Sequence, residues 1–326
     1  MVNSPFKKGQ VLFLNPRTCG IYKSGGVRYR VGGDGQRTRE IDNELLEHVD
    51  AVLGGKRAPG QAIIPVRECL ERRNFTPRYY DPRWDEDFDA LLETHKLEGV
   101  SLGDLEHEGV ISVQGGHGSP SNDQRSGTIP YIKVSDLRNL RVNINPTNMI
   151  PRELAERRFW RGPDSGLQGW DLLTPNRASS NIGEFVVLLP GEEEIVLTKE
   201  VFRVRCAEDR SDGWDPFYLL WALCLRAVRQ QWQRVTLMQT NREDVSQRYR
   251  EIRLPRPSSP EWARAVSEPF RQYFTSVAAA RQRFVEELHA AEFRHIASIY
   301  RLVPGGDNTD EEALDPTTLD PERADE

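Results

Sequence analysis

Histidine and cysteine are the residue types best suited to metal binding and nucleophilic catalysis, and in this sequence they are scattered. The six histidines show neither the H-E-x-x-H spacing nor a neighbouring cluster of carboxylates that a zinc site uses. The four cysteines, Cys19, Cys69, Cys206 and Cys224, form no C-x-x-C pair. We therefore predict isolated, reduced thiols and no metal site.

A second set of chemistry-bearing residues lies near the N-terminus. Asn15, Pro16 and Arg17 begin like the catalytic tetrapeptide Asp/Asn-Pro-Pro-Tyr/Phe of adenine methylases, but the second proline and the aromatic residue are missing. No glycine fingerprint for S-adenosylmethionine follows a predicted strand, and the sequence contains no phosphate-binding P-loop. We expect no catalysis and no cofactor in this chain.

Two polar loops carry the remaining candidates. The first follows GGHGSP at residues 115–120 and precedes the predicted strand TIPYIKVSDL at 128–137. The second, ASSNIGEF at 178–185, precedes IVLTKEVFRVR at 195–205. Alternation along that last strand puts Phe202 and Val204 on one face and Arg203 and Arg205 on the other. We expect the arginine face to be solvated or bound to an anion.

Taken together, these segments resemble the target-recognition domain of type I restriction-modification specificity subunits. The order and spacing fit, and the resemblance continues through YLL at 218–220, RQ at 229–230 and LPRP at 254–257, which precedes a long predicted helix. It covers roughly residues 97 to 300, as one recognition domain followed by a coiled-coil spacer. The family usually carries two of each, so the resemblance implies a half-subunit.

A shorter N-terminal stretch resembles a different family. The sequences CGIYK at 19–23, DG at 34–35 and EID at 40–42 are similar to the C-terminal end of type I-like adenine-N6 DNA methylases. The combination implies the recognition part of a methylase whose catalytic part is encoded separately, or a descendant of a fused methylase-specificity protein.

The resemblance implies binding to double-stranded DNA through the two polar loops and the strand between them. Arginine pairs with guanine and asparagine or glutamine with adenine, whereas Lys133 and Arg138 are better placed for phosphate. For each loop residue a simply solvated position is an equally open alternative. The candidate DNA-binding residues are Asn122, Gln124, Arg125, Lys133, Arg138, Asn176, Arg177, Ser179, Ser180 and Asn181.

One further segment, residues 152–161, interleaves basic and aromatic residues. As a helix starting at Pro151, it could place Arg157, Arg158 and Arg161 along a track of phosphates. The alternative, which we favour, is that Glu153 and Glu156 pair with these arginines at helical spacing.

The elements that must position these residues follow from hydrophobic periodicity. We predict a hairpin around residues 27–41, a helix from 42 to 53 capped by Asp42, and a helix from Pro216 to Val235. Tryptophans 170, 221 and 232 are expected in the core. A long helical pattern begins near Pro260 and is predicted to break or kink at Pro269. From a cap at Ser267 it continues to about Arg301, with a partner-helix seam formed by Phe270, Tyr273, Val277, Phe284 and Leu288.

These elements predict an α+β chain: a β-rich domain with a packed helix, then a coiled-coil-type helix. The expected division is a methylase-like segment at 1–60, a linker at 61–95, the recognition domain at 96–257, a helical spacer at 258–302 and an acidic tail at 303–326. From residue 304 the tail holds nine acidic residues against one arginine, which predicts disorder and leaves the remaining chain mildly basic despite the overall charge of −6.

The sequence shows no apolar stretch long enough for a membrane span and no signal peptide, so we expect a cytoplasmic protein. The expected partners are DNA and an adenine-N6 methyltransferase subunit that binds S-adenosylmethionine, with a second copy of the chain as another partner for the long helix. The competing interpretation is a protein-interaction adaptor of a defence complex. DNA binding should weaken with salt, whereas adaptor binding should not.

Overall fold

The structure of the chain is a computed structural model. It describes residues 8–22, 24–124, 126–161, 165–177, 181–239 and 242–290, with the backbone alone for residues 123, 237–239, 242–244 and 288–290. The predicted acidic tail and the end of the predicted long helix lie outside the described residues. No helix in the described ranges is both long enough and apolar enough to cross a membrane.

Among the described residues up to His95 there are two small antiparallel strand pairs and three α-helices. Strand β1 pairs with β4, and β2 pairs with β3 in the predicted hairpin. The elements are β1 (Gln10–Phe13), β2 (Tyr29–Val31), β3 (Arg37–Ile41), α1 (Glu44–Leu53), β4 (Ala62–Pro65), α2 (Val66–Glu71) and α3 (Arg83–His95).

Residues from 99 to the end of the described chain form the β-rich domain and its helices. The elements are β5 (Gly99–Ser101), α4 (Leu102–His107), β6 (Ile111–Gly115), β7 (Ile129–Ile132), β8 (Leu137–Arg138), β9 (Arg141–Val142), β10 (Met149–Ile150), α5 (Arg152–Leu154), β11 (Leu172–Pro175), β12 (Val186–Val187), β13 (Val196–Leu197), β14 (Val201–Cys206), α6 (Pro216–Cys224), α7 (Arg226–Val235), β15 (Leu237–Gln239), β16 (Arg242–Asp244), β17 (Arg253–Pro255) and α8 (Pro260–Ala290). This arrangement confirms the predicted α+β class.

Two sheets organise the β-rich domain. Six strands follow the order β6-β14-β11-β12-β9-β8, and three follow β10-β7-β13. One face of β14 carries Phe202, Val204 and Cys206 into a large core shared with α6, α7 and α8, as the alternation predicts. The opposite face begins with Val201, which packs into a second core between the two sheets.

The arginine face of β14 meets the expectation of a solvated or anion-bound surface at Arg205, whose anion belongs to the chain itself, but not at Arg203. Arg205 pairs with Asp171, at 2.6 Å from its Nε to a carboxylate oxygen. Arg203 is buried, and one of its terminal nitrogens donates to the Ser112 hydroxyl at 3.1 Å. Burial lowers the pKa of the Arg203 guanidinium, with a smaller contribution from the charge of Arg205. This face is therefore largely covered by the protein itself.

The helix predicted over 216–235 is two helices. The backbone of Leu225 leaves the helical region, with ψ of 133°, so α6 ends at Cys224 and α7 begins at Arg226. The predicted start is correct, because the Asp215 carboxylate accepts from the backbone N–H groups of Phe217 and Tyr218. The break lets the two helices bury different faces in the same core, and Trp232 is buried there as predicted.

The long helix α8 begins at Pro260, where the sequence predicts the helical pattern to start, but the predicted break at Pro269 is absent. The Ser259 hydroxyl accepts from the backbone N–H of Trp262 at 3.1 Å, and Pro260 occupies the first turn. Ser267, the predicted cap, lies inside the helix and donates to the Ala263 carbonyl at 2.8 Å. The helix is not interrupted at Pro269, whose ring lies on the exposed side.

Its seam also differs from the prediction. Phe270 and Val277 pack against the core of the β-rich domain, and Phe274, which was not among the predicted seam residues, is completely buried there. Tyr273 and Phe284 are about half exposed, at 53% and 47%. The side chain of Leu288 lies outside the described set. The inner face of α8 is therefore covered by the chain's own domain.

The helix predicted over 42–53 is present as α1, but its cap is Asn43, whose side chain accepts from the Leu46 N–H. Asp42 instead pairs with Arg28 at 2.8 Å. His48 is the buried residue of α1. The sequence places Leu45, Leu46, Val49 and Val52 on one face of this helix for packing. In the structure Leu45, Leu46 and Val49 are exposed and Val52 is only partly buried.

The segment 61–95, predicted as a linker, contains β4, α2 and α3. Phe88 and Leu92 of α3 are buried in the core of the β-rich domain, and Asp85 of the same helix forms an ion pair with Arg234 of α7. The apolar residues Trp84, Phe88, Leu91 and Leu92 of α3 follow helical spacing, so the prediction of a linker overlooked a helical signal in the sequence. The segment is a packed part of the fold.

Candidate nucleic-acid interface

The loops that carry the candidate residues leave the same end of the β-rich domain. Strands β6 and β11 both run antiparallel to β14, so Gly115 and Pro175 at their ends lie beside Phe202 and Val201 at its start. Strands β7 and β13 run parallel to each other and end at the same level, and the turn after β13 leads directly into β14. We call this region the loop end: the described residues 116–124, 126–128, 133–138, 176–177, 181 and 198–200.

Glycines allow the first loop to pack tightly at the loop end. The N–H of Gly116 donates to the Val201 carbonyl at 2.8 Å, and a Cβ at Gly116 would lie 1.8 Å from the carbonyl oxygen of Thr198. A Cβ at Gly118 would lie 2.7 Å from the ring of Phe159. Only glycine fits at both positions, which explains the glycine-rich sequence in physical terms.

The far side of this loop is fixed in the same way. Gly127 has a φ of +152°, and a Cβ there would lie 2.3 Å from the carbonyl carbon of Ile150, while the next residue, Thr128, donates its N–H to the Ile150 carbonyl. Between the two anchors, Asn122 is exposed and Gln124 is partly exposed. The loop therefore presents both predicted amide side chains from a fixed base.

His117 joins the loop to β13 through two hydrogen bonds. The backbone N–H of His117 donates to the Leu197 carbonyl, and the imidazole Nδ1 accepts from the Leu197 backbone N–H, both at 2.9 Å. Burial lowers the pKa of the imidazole from its ordinary value of 6.5 to about 4. A backbone hydrogen bond with Ser165 opposes this shift, and the charge of Arg161 adds to it. His117 is thus a neutral structural residue at physiological pH.

This lowered pKa predicts a loss of stability in mild acid. The unfolded chain takes up a proton on His117 below pH 6.5, whereas the folded chain does so only below a pH of about 4. The His117 contribution is therefore fully present above pH 6.5 and is lost as the pH falls towards 4, by about 3 kcal/mol. Urea unfolding between pH 4 and pH 7.5 measures it.

His117→Asn is the matched control, because its amide oxygen can accept from the Leu197 N–H in the place of Nδ1 and does not titrate. As the pH falls, the unchanged protein should lose the His117 contribution and the Asn variant should not. The difference between their free energies of unfolding should therefore narrow. An equal pH dependence of the two would show that His117 is not the titrating group.

Lys133 and Arg138 of the loop end are engaged with amide side chains. The Lys133 Nζ donates to the Asn148 side-chain oxygen at 2.6 Å. A terminal nitrogen of Arg138 donates to the side-chain oxygen of Asn181, also at 2.6 Å. The structure therefore brings together two predicted site residues, Arg138 and Asn181, from different loops. Asn181 is buried and Arg138 is exposed.

The second loop begins with Asn176, whose backbone joins two neighbouring segments. Its N–H donates to the Glu200 carbonyl at 2.9 Å and its carbonyl accepts from the Val245 N–H at 3.1 Å. The side chains of Asn176 and Arg177 are both partly exposed. Arg125, Ser179 and Ser180, which complete the predicted set, lie outside the described residues.

The alternative favoured for the segment 152–161 is wrong. Glu156 pairs with Arg152 at 3.4 Å, and Arg152 pairs also with Glu194 at 2.7 Å. Arg157, Arg158 and Arg161 are exposed, and within the described ranges none of them forms an ion pair. Helical spacing did not predict this, because the turn at Ala155–Phe159 is a π-helix and its residues are not spaced as in an α-helix.

Comparison with known proteins gives likenesses to solved structures only. No protein-family profile matches the sequence. No curated protein matches it either. The HsdS subunit from Thermoanaerobacter tengcongensis is 17% identical with a TM-score of 0.34, over 79% of this chain and 54% of that one.

Two further solved structures belong to the same class. One describes the assembly and conformational transition of a type I R-M system, with 15% identity and a TM-score of 0.35, over 79% of this chain and 57% of that chain. The other is the S subunit of the type I restriction-modification system from M. genitalium, with 11% identity and a TM-score of 0.33, over 69% and 52%. The chain matches about half the length of these proteins.

Proposed function

We propose that this chain is a sequence-specific DNA-recognition module, without catalytic activity of its own. It directs a separate adenine-N6 DNA methyltransferase of a restriction-modification or phage-defence system to its target. The observation that carries the proposal is the convergence of the loops with candidate polar and basic side chains at the loop end. S-adenosylmethionine belongs to the partner methyltransferase.

The loop end has the properties that recognition of DNA bases requires. Asn122 carries an exposed amide and Gln124 a partly exposed one, the side-chain type that pairs with adenine, and Arg138 is an exposed guanidinium held by Asn181. The loop that carries the amides is fixed at Gly116 and Gly127 against backbone atoms. A site on a rigid base loses less entropy on binding than a mobile loop would.

The N-terminal segment supports a protein partner. Its surface exposes many large apolar side chains, more than isolated surface residues account for. They are Leu12, Ile21, Tyr22, Val27, Val31, Ile41, Leu45, Leu46, Val49, Leu53 and Ile63. Because the same segment resembles the end of a methylase, we propose this face as the contact with the methyltransferase. The division into segments at 1–60, 96–257 and 258–302 is part of this proposal.

The proposal is tested by selection of duplexes from a random DNA library with the purified chain, followed by titration of a selected duplex at several salt concentrations. We expect one sequence to be enriched, and its affinity to fall steeply with salt. If no sequence is enriched and the chain binds a protein partner independently of salt, the alternative function as a protein-interaction adaptor is favoured.

The role of the two amides in base recognition is tested with a double substitution, Asn122→Ala with Gln124→Ala. Each lost base contact should reduce discrimination by about 1 to 3 kcal/mol at its own position, while binding to unrelated DNA stays the same. Gln36→Ala, an exposed amide residue of the N-terminal segment, is the control and should leave the preference unchanged. If the double variant keeps the same preference for one DNA sequence, these two amides do not contact the bases.

A further inference from the structure

We propose that Arg157, Arg158 and Arg161 form a phosphate-contacting surface beside the loop end, an inference that rests on the proposed DNA-recognition function. In this arrangement the three arginines supply sequence-independent affinity. The amides of the loop that they flank supply the sequence preference. Their role replaces the one that the sequence suggested for Lys133 and Arg138.

The first argument is that the arginines project from a firmly anchored turn. Ala155 and Phe159 are buried at the two ends of the π-helix, and Trp160 donates its indole N–H to the Ile195 carbonyl at 3.1 Å. The guanidinium of Arg152 lies 5.7 Å from the ring centre of Trp160. The backbone that carries the three arginines is therefore positioned before any ligand binds.

The second argument concerns charge. The neighbouring carboxylates Glu156 and Glu194 are both paired with Arg152. Arg157, Arg158 and Arg161 are exposed and form no ion pair with the residues that the structure describes. These three positive charges within five residues outnumber the one exposed carboxylate of the turn that no described ion pair engages, Glu153, so they attract a polyanion. Guanidinium groups also match the geometry of phosphate oxygens.

The third argument is position. The loop carrying Asn122 and Gln124 starts against the ring of Phe159 and returns against the backbone at Ile150, so both of its ends contact the segment that bears the arginines. Arg161 is close enough to His117 for its charge to affect that imidazole. DNA that contacts the loop therefore passes beside the arginine surface.

The fourth argument is a comparison with the residues that the sequence suggested for phosphate. Lys133 and Arg138 each donate to an amide oxygen at 2.6 Å, to Asn148 and Asn181 respectively. A phosphate would have to compete with these bonds. The three arginines have no comparable partner in the described ranges, so they can bind phosphate without losing an existing hydrogen bond.

The test uses the full chain with Arg157, Arg158 and Arg161 all changed to Gln, and a selected and an unrelated duplex as probes. Loss of three phosphate contacts should reduce the slope of log affinity against log salt by about 2.7. Between 50 and 200 mM salt, the affinity of the unchanged protein should therefore fall roughly 40-fold more than that of the variant. The ratio between the two duplexes should stay the same.

A matched control removes three other exposed arginines, Arg226, Arg264 and Arg283, which lie on helices α7 and α8. The net charge changes equally, so the control isolates position from total charge. Circular dichroism and melting temperature verify that both triple variants fold.

The outcomes are distinct. If the variant lacking Arg157, Arg158 and Arg161 has the same salt slope as the control variant, these arginines do not form a phosphate-contacting surface. The proposed DNA-recognition function would be unaffected by that result. A changed ratio between the two duplexes would also overturn the phosphate-contacting surface, because it would make these arginines base contacts. If the unchanged chain binds no duplex at all, the proposed function itself fails, and this inference with it.

Discussion

Replacing Gly116 by alanine is expected to destabilise the chain by about 3 kcal/mol and to abolish its preference for one DNA sequence. The added Cβ would lie 1.8 Å from the Thr198 oxygen and 2.9 Å from the Val201 oxygen, and both are backbone atoms. Relief of the clash must move the turn into β14 or break the hydrogen bond from Gly116 to Val201. Either change displaces the loop that carries Asn122.

The matched control is Gly115→Ala, one residue earlier, where an added Cβ meets no atom within 4 Å. Its free energy of unfolding should change by no more than about 0.5 kcal/mol. Urea unfolding and the affinity ratio between a selected and an unrelated duplex measure both effects. Equal behaviour of the two variants would mean that the loop does not pack on the turn at Thr198.

How far this site could be predicted depends on how local its contacts are. The glycine-rich sequence marked the loop, because glycine clusters are a local signal. Position 116 must be glycine because the backbone of Thr198, about eighty residues away in the chain, leaves no room for a Cβ. Sequence periodicity carries no information on such a contact. The hydrogen bond between Arg138 and Asn181 could not be predicted for the same reason, although both residues are candidate DNA-binding residues.

The fold shows the same limit. The alternation in β14 and the hairpin formed by β2 and β3 were predicted correctly, since each depends on neighbouring residues. Helix α3 was missed although Trp84, Phe88, Leu91 and Leu92 follow helical spacing, and Phe88 and Leu92 attach it to the core. Its charged residues are used in ion pairs with α7 and β17, which only the tertiary structure brings close.

The choice of face on α8 illustrates an ambiguity of helical spacing. Steps of three and four residues connect Phe270 to Tyr273 and Val277, but they connect Phe270 equally to Phe274 and Val277. The structure selects Phe274, which is completely buried, and leaves Tyr273 about half exposed. The difference decides whether the helix is held by its own domain or by a partner.

Replacing Phe274 by alanine is therefore expected to cost about 3 to 5 kcal/mol of stability, the range for a fully buried phenylalanine. The side chain lies in the core that also contains residues of α6 and α7, and no water can fill the space without losing hydrogen bonds. Tyr273→Ala, the adjacent and half-exposed position, should cost at most about 1 kcal/mol. Urea unfolding of the two variants measures the contrast, and the reverse order would show that α8 packs through the face predicted from the sequence.

The same assignment changes how a partner contact on α8 must be tested. A charge at Val277 would disturb the chain's own core, against which that residue packs, so loss of a partner would follow from misfolding. Tyr273→Asp with Phe284→Asp changes only side chains that are about half exposed. The double variant should keep its melting temperature within a few degrees, because neither side chain is buried. If light scattering and pull-down show that it still associates with a methyltransferase subunit and with a second copy of the chain, α8 is not the docking element, and the exposed apolar face of the N-terminal segment remains the proposed contact.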